Sequence, residues 1–121
     1  MKIIHAEEIK TIKRPDGRTI QDLCKQNIGL ERGMINFISV VHPAHFIEKL
    51  HYHKIFYEIF FFLDDALYHI NGCTHIIKNG DLIIFEPWDV HGALSTPHQV
   101  GIFIMQIPYT AGDKYFLEES S

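Results

Sequence analysis

The chain has 121 residues, of which 46% are hydrophobic and 21% charged, and its formal net charge is -4 with histidines neutral. These values are typical of a globular protein with one hydrophobic core, so we expect a single domain over residues 1–121. The sequence has no basic patch of the kind that neutralises nucleic-acid phosphates, and no apolar run long enough to span a bilayer. We therefore expect neither nucleic acid nor a membrane as a partner.

The N-terminus and the cysteines indicate a cellular compartment. Residues 1–8 lack the apolar centre of a signal peptide. Cys24 and Cys73 do not form a spaced disulfide framework. Together these features predict a protein of the reducing cytoplasm.

The N-terminal half is predicted to form short strands separated by turns. Pro15, Asp16 and Gly17 have the chemistry of a turn, and Pro43 ends the apolar run before it. We expect strands at 2–5, 18–24 and 34–42, a loop at 27–33, and a connector at 46–49.

Residues 56–63 predict a strand that is apolar on both faces except at Glu58. Because side chains alternate along a strand, Glu58, Phe60 and Phe62 would lie on one face. The other face would hold the alternate residues Tyr57, Ile59, Phe61 and Leu63. A carboxylate is costly to bury in such a strand unless it is paired or bound to a metal. The alternative is that Glu58 lies near a solvated edge.

Three turn signals follow, at residues 64–65, 71–72 and 79–80. Asn71-Gly72 between apolar runs predicts an antiparallel hairpin of 66–70 with 73–78. Further strands are predicted at 81–85 and 99–107, with turns or loops at 86–89 and 95–98. Short strands with turn residues between them and no convincing helix indicate an all-β sandwich or barrel.

Four residues form a candidate metal site. His51 and His53 point the same way if they lie on a strand, because successive side chains alternate. Glu58 and a third histidine, His91, would complete a set of three nitrogens and one oxygen. Imidazole suits several transition metals, and the carboxylate favours the harder divalent ions. We expect one divalent transition metal, with iron, manganese, nickel and zinc left open.

The spacing of these residues resembles the two motifs of the cupin superfamily. The first motif, at 51–65, begins His-x-His and reaches Glu58 five residues after His53. The second, at 80–91, runs from Gly80-Asp81 through Pro87 to His91. The resemblance implies a double-stranded β-helix, a small jelly-roll barrel, with His51, His53, Glu58 and His91 as metal ligands.

The chain departs from the cupin pattern at three positions where the family has glycine. They are occupied by His45, by Asp64 or Asp65, and by Trp88. Aspartate tolerates a left-handed turn, so we expect a two-residue hairpin at 64–65. Tryptophan tolerates this conformation poorly, so we expect a different turn at Trp88.

Several pocket residues are assigned with less support. If 64–65 is a hairpin turn, His69 pairs with Phe60 and shares the face of Glu58, where it is our candidate catalytic acid or base. The alternative is a half-exposed histidine on a strand. Trp88 is a candidate for the pocket mouth, and Gln106 reaches the pocket only if it faces inward. Aromatic residues predict an apolar cavity for a small ligand: Phe60, Phe62, Phe85 and Phe103. We assign no functional role to the other histidines, at positions 5, 42, 45, 75 and 98.

Two functions remain open from the sequence. The cupin resemblance implies a metal-dependent enzyme on a small oxygenated organic molecule: an isomerase, epimerase or decarboxylase, or an iron dioxygenase. Residues 56–63 and 89–91 also resemble the sensor domain of AraC-type regulators, which implies a non-catalytic binding module. The outward face of the strand at 56–63 needs a second layer, and small cupins are commonly dimers, so we expect a homodimer.

Overall fold

A computed structural model describes residues 6–27 and 33–117. It contains a short 3-10 helix, Ala6–Glu8, and no helix in these ranges is long and apolar enough to cross a membrane. The strands are β1 (Ile12–Lys13), β2 (Thr19–Asn27), β3 (Met34–His42), β4 (His51–Tyr52), β5 (Tyr57–Phe62), β6 (Ala66–Ile70), β7 (Cys73–Ile77), β8 (Leu82–Phe85), β9 (His91–Leu94), β10 (Val100–Ile107) and β11 (Tyr115–Phe116).

The strands form two antiparallel sheets. One has six strands in the order β1-β2-β3-β10-β5-β8, and the other has five in the order β11-β4-β9-β6-β7. The core lies between them, where Phe60 and Phe62 of β5 contact Tyr68 of β6. The expectation of an all-β fold is confirmed.

Strand β5 confirms the predicted division into two faces. Glu58, Phe60 and Phe62 are buried, whereas Tyr57 and Phe61 are exposed on the outer face. A polar row crosses the inner face at the end of this sheet, because Glu58 pairs with Gln106 of β10, which pairs in turn with Asn36 of β3. This row brings three polar side chains together beside the core.

The predicted hairpin at 64–65 is wrong. Strand β5 pairs with β8 and β10, whereas β6 pairs with β7 and β9 in the other sheet, so His69 is not opposite Phe60. Asp64 accepts a hydrogen bond from the backbone N–H of Gly101, and Asp65 from that of Asn79. The two aspartates therefore hold a crossover between sheets instead of a tight turn.

Other element predictions agree with the structure to within a few residues. The hairpin at Asn71-Gly72 is confirmed, with Ile70 opposite Cys73 and both turn residues at positive φ. The strands β1 and β11 were not predicted, because each has only two residues and no pattern of its own. The strand expected at 2–5 and the loop residues 28–32 lie outside the described residues.

Candidate metal centre

The structure brings the four predicted ligands together. His51 of β4 lies opposite His91 of β9, His53 follows β4 directly, and Glu58 projects inward from β5. Their relative exposures are 4%, 0%, 5% and 4%. One candidate ligand atom from each residue lies within 4.8 Å of the others. Residues that are 40 positions apart thus form one buried cluster that can hold a metal ion.

Each imidazole of the cluster is oriented by a backbone carbonyl. The Nδ1 atoms of His51 and His91 lie 3.0 and 2.9 Å from the carbonyl oxygens of Lys49 and Asp89. Nδ1 of His53 contacts the carbonyl of Asp113. Because a carbonyl only accepts, each Nδ1 must carry the hydrogen, and this leaves the Nε2 lone pair free to bind a metal.

Glu58 lies at the centre of the cluster. Its Oε1 is 2.7 Å from Nε2 of His53 and 3.1 Å from Nε2 of His91, and its Oε2 accepts a hydrogen bond from Gln106 at 2.9 Å. Burial alone would raise the pKa of Glu58, but the two imidazoles hold it well below its ordinary value. The carboxylate is therefore ionised, despite having almost no contact with solvent.

The histidines respond to this carboxylate differently. Burial would lower the pKa of His53, but its contact with Glu58 raises the pKa above the ordinary value. Burial lowers the pKa of His51 to about 3, with further contributions from His91 and Lys114. His51 is therefore neutral at physiological pH, the form in which imidazole binds metals.

The donor set fits a divalent cation. Nε2 of His53 is buried and makes no aligned hydrogen bond, although it points toward Glu58. With hydrogens on Nδ1, the Nε2 atoms of His53 and His91 face a carboxylate oxygen, and this arrangement needs either a proton on Nε2 or a metal cation between them. Three imidazole nitrogens and one carboxylate oxygen suit Zn, Fe, Ni or Mn.

Asp113 supports the cluster and was missed by the sequence analysis. Its carboxylate accepts hydrogen bonds from the backbone N–H groups of Lys54, Ile55 and Phe56, at 2.9, 2.9 and 3.0 Å. These three donors lie between β4 and β5, where no strand partner is available to them. Asp113 thereby fixes the segment that joins His53 to β5.

A cavity of about 360 Å³ adjoins the cluster. His51, His53 and Glu58 form part of its wall, and Phe60 and Ile104 contribute apolar surface. The predicted apolar character is therefore only partly correct, because polar and charged side chains line much of the cavity. Phe103 was assigned to it wrongly: it pairs with the exposed Phe61 on the outer face and stacks on Phe37.

A second polar group lines the cavity and was also missed. Arg18 contacts Asp16 at 2.8 Å and Glu48 at 3.4 Å. His42 is buried beside them, and burial lowers its pKa to about 4 although the charge of Glu48 opposes this. Asp16 and Arg18 lie in the turn between β1 and β2, His42 ends β3, and Glu48 lies in the connector before β4, where no short motif marks them.

His69 is not brought to the cluster. Tyr68 of the same strand lines the cavity, so the adjacent side chain of His69 projects from the opposite face of the sheet. His69 pairs with Gly92, whereas Ile70 pairs with the inward-facing His91. The pairing with Phe60 that led us to His69 does not exist.

Two other pocket candidates have different outcomes. We expected Gln106 to reach the pocket only if it faces inward. It does face inward, and it contacts Glu58. Trp88 is 62% exposed and stacks on Tyr52 instead of lining the cavity. Trp88 also adopts a φ of 76°, so the left-handed conformation of the motif persists without glycine, contrary to our expectation. The backbone N–H of Trp88 donates a hydrogen bond to the carbonyl oxygen of His53 at 2.7 Å, and this bond holds the turn.

Comparisons with known proteins rest on the structure alone. No protein-family model matches the sequence, and no curated protein matches it either. An RmlC-like cupin from Shewanella frigidimarina superposes with a TM-score of 0.75 at 14% identity, covering 88% of this chain and 90% of that one. The chain has the cupin fold. The expectation of a double-stranded β-helix is therefore confirmed.

Two further solved structures share the cupin fold with this chain. KdgF from Halomonas sp. has a TM-score of 0.77 and 12% identity, over 92% of this chain and 96% of that one. The polyketide cyclase RemF from Streptomyces resistomycificus has a TM-score of 0.77 and 16% identity, over 99% and 87%. At these identities the likeness extends to the fold alone.

Proposed function

We propose that this cupin is a metal-dependent enzyme that acts on a small oxygenated organic molecule. One divalent transition metal would be held by His51, His53, Glu58 and His91. The observation that carries the proposal is the convergence of these four buried donors, three of which, His51, His53 and Glu58, line a cavity of about 360 Å³. Such a volume lies near the lower end of the range for small-molecule sites.

The chemistry follows from the donor set and its supports. When bound, a divalent ion would polarise a ligand oxygen or lower the pKa of a water molecule. Glu58 supplies negative charge that favours a cation, and Gln106 holds its other oxygen in place. The backbone carbonyls of Lys49, Asp89 and Asp113 keep the imidazoles aligned. These fixed contacts reduce the reorganisation that ligand binding requires.

Isomerisation, epimerisation and decarboxylation would use the ion as a Lewis acid, whereas an iron site would add dioxygen chemistry. Enzymes occur among the structural neighbours, one of which is described as a polyketide cyclase. This supports an enzyme on the cupin scaffold without choosing among the reactions.

A turnover screen tests the enzyme proposal. The protein would be loaded separately with Fe(II) under anaerobic conditions, Mn(II), Ni(II) or Zn(II), and incubated with sugars, keto acids, catechols, thiols and diketones. We expect turnover of one class with one metal, and its loss in His51→Ala. A protein that binds one equivalent of each metal and converts none of these compounds would contradict the enzyme proposal.

The alternative is a non-catalytic binding or sensing domain, like the effector module of AraC-type regulators. One observation favours it: the predicted acid or base, His69, lies on the outer face of its sheet, away from the cavity. A sensor needs a cavity and a conformational response, and has no need of a proton-transfer group. In the screen, this alternative corresponds to ligand binding without turnover.

We also propose that the protein is a homodimer that pairs through the outer face of β5 and β8. Exposed apolar side chains share this face: Tyr57, Phe61, Leu63, Leu82 and Ile84. Contiguous exposed apolar surface is typical of subunit interfaces. Phe61→Glu should convert the dimer to a monomer in sedimentation experiments, and Ile76→Glu on the other sheet should not. A monomeric wild-type protein would contradict the proposal.

A cytoplasmic location remains a prediction, as does a single domain over residues 1–121. Cys24 and Cys73 are both unpaired, and this is compatible with a reducing compartment.

A further inference from the structure

Besides Nε2 of His53, two buried polar atoms on residues that line the cavity have no hydrogen-bond partner among the described residues. They are Oδ1 of Asn36 and the hydroxyl of Tyr68, on residues that are 3% and 1% exposed. An unpaired buried polar group costs stability, so such groups are uncommon unless a ligand or water pairs with them. Both residues line the cavity beside the metal cluster, and this points to recognition of a ligand.

The orientation of Asn36 is fixed by a chain of hydrogen bonds. Nε2 of Gln106 donates a hydrogen bond to Oε2 of Glu58 at 2.9 Å. Oε1 of Gln106 then accepts from Nδ2 of Asn36 at 3.1 Å. This leaves Oδ1 of Asn36 as a free acceptor. The metal-binding carboxylate thus determines, through two amides, that the cavity offers an acceptor at this point.

Tyr68 offers the complementary group from the opposite sheet. Its ring packs against Phe60, Phe62 and Phe85, at centroid distances of 6.1, 5.4 and 6.5 Å. Burial raises the pKa of Tyr68 well above its ordinary value, so the hydroxyl keeps its proton. Residues on the two sheets that enclose the cavity therefore carry an unpaired acceptor, Oδ1 of Asn36, and a protonated donor, the hydroxyl of Tyr68.

We propose that Asn36 and Tyr68 are specificity residues that bind a ligand rich in hydroxyl groups. A hydroxyl of the ligand donates to Oδ1 of Asn36, and another ligand oxygen accepts from Tyr68. This inference rests on the proposed function, because it concerns the same cavity.

A ligand whose carboxylate lies against Asn36 fits the cavity less well than one with a hydroxyl group at this position. Oδ1 of Asn36 is an acceptor and would repel an anionic oxygen. Arg18, a cation of the cavity wall, already contacts the carboxylates of Asp16 and Glu48. A neutral hydroxyl group both donates and accepts, and so satisfies either partner.

The test uses zinc-loaded protein and four probes: ribose, xylose, glucose and myo-inositol. Binding would be measured by saturation-transfer NMR and calorimetry. We expect at least one probe to bind, and Tyr68→Phe and Asn36→Leu to weaken its affinity by about three- to tenfold each, as loss of one neutral hydrogen bond implies. Tyr57→Phe, an exposed tyrosine on the outer face, is the matched control and should leave the affinity unchanged.

The thermal midpoint of unfolding distinguishes a role of Tyr68 in ligand recognition from a structural role. Because the Tyr68 hydroxyl has no hydrogen-bond partner in the part of the chain that the structure describes, Tyr68→Phe should leave the thermal midpoint of the ligand-free protein unchanged or raise it. A lower midpoint with unchanged probe affinity would overturn the proposal. So would the absence of binding by all four probes to zinc-loaded protein, and that result would leave the proposed metal function intact. Probe binding by a protein that holds no metal would contradict the proposed function and support this inference.

Discussion

Asp113 and His53 are joined by a hydrogen bond between the backbone carbonyl of Asp113 and Nδ1 of His53, although 60 positions separate them. The carboxylate of Asp113 also binds the N–H groups of residues 54–56. One residue near the C-terminus therefore orients an imidazole of the cluster and fixes the segment behind it. Coordination of a metal by His53 would depend on this contact, because buried metal ligands generally depend on their hydrogen-bond partners.

Replacing Asp113 tests this support. Asp113→Asn keeps the shape but removes the charge and one acceptor, so at least one N–H of residues 54–56 loses its partner. We expect the free energy of unfolding to fall by about 1–3 kcal/mol, measured by urea denaturation. Asp65→Asn, which removes an exposed carboxylate with one backbone donor, is the control and should cost less. Equal losses in both variants would contradict a special role for Asp113.

Removing two imidazoles should abolish metal binding. The double variant His51→Ala/His53→Ala loses two of the four donors, so we expect no stoichiometric metal, as measured by calorimetry, and an unchanged β-sheet signal in circular dichroism. His69→Ala/His75→Ala removes two histidines outside the cluster and should bind metal as the wild type does. Full metal occupancy in the first double variant would rule out the assigned ligands.

Glu58→Gln should weaken metal binding and leave the protein folded. The substitution keeps the size of the side chain but removes the negative charge that two imidazoles contact and that a bound cation would share. We expect a loss of at least about tenfold in affinity for zinc. An unfolded product would mean that Glu58 has a structural role, through its contact with Gln106.

His42 should make stability depend on pH in a defined window. Its pKa falls from 6.5 in the unfolded chain to about 4 in the folded protein. Between these values the unfolded state binds a proton that the folded state does not, so stability decreases as pH falls. The stability difference between wild type and His42→Gln should change by up to about 3 kcal/mol over this window.

The control for this prediction is His75→Gln, on an exposed histidine of β7. Its unfolding free energy should follow the wild-type pH dependence. A His42→Gln variant with the same pH dependence as wild type would show that His42 does not titrate as its buried position requires.

Gly92→Ala should disturb the chain before His51. A Cβ atom at Gly92 would lie 2.8 Å from the carbonyl oxygen of Glu48, a contact that requires the backbone to move. We expect a loss of about 1–3 kcal/mol in unfolding free energy, measured by urea denaturation. In Gly101→Ala, another strand glycine, the nearest atom would be 3.4 Å away, and the variant should keep its stability. Equal stability of both variants would contradict this close approach.

The four residues of the candidate metal site were predictable because each belongs to a short sequence motif. His51 and His53 are two positions apart, and Glu58 and His91 fall at the spacings of two short motifs. The division of β5 into two faces was equally predictable, since side chains alternate along a strand. Such patterns depend on a few neighbouring residues, so they can be recognised without knowing the order of the strands in the sheet.

The residues that support the cluster, such as Asp113, could not be predicted from the sequence because their contacts join distant segments of the chain. Asp113 lies in a loop, and only the folded chain brings it to residues 54–56. The error at His69 has the same origin: adjacent turn residues at 64–65 suggested a hairpin, whereas the chain crosses to the other sheet. Trp88 adopts the left-handed conformation because surrounding contacts hold it there, against its own preference.

The most direct test is elemental analysis of protein purified without added metal, once in air and once anaerobically. We predict about one equivalent of a single divalent transition metal per chain, following the four-donor site. Iron that is lost or oxidised in air would support dioxygen chemistry, and zinc, nickel or manganese unchanged by air would support Lewis-acid chemistry. No metal in either preparation, and none bound on reconstitution, would contradict the account.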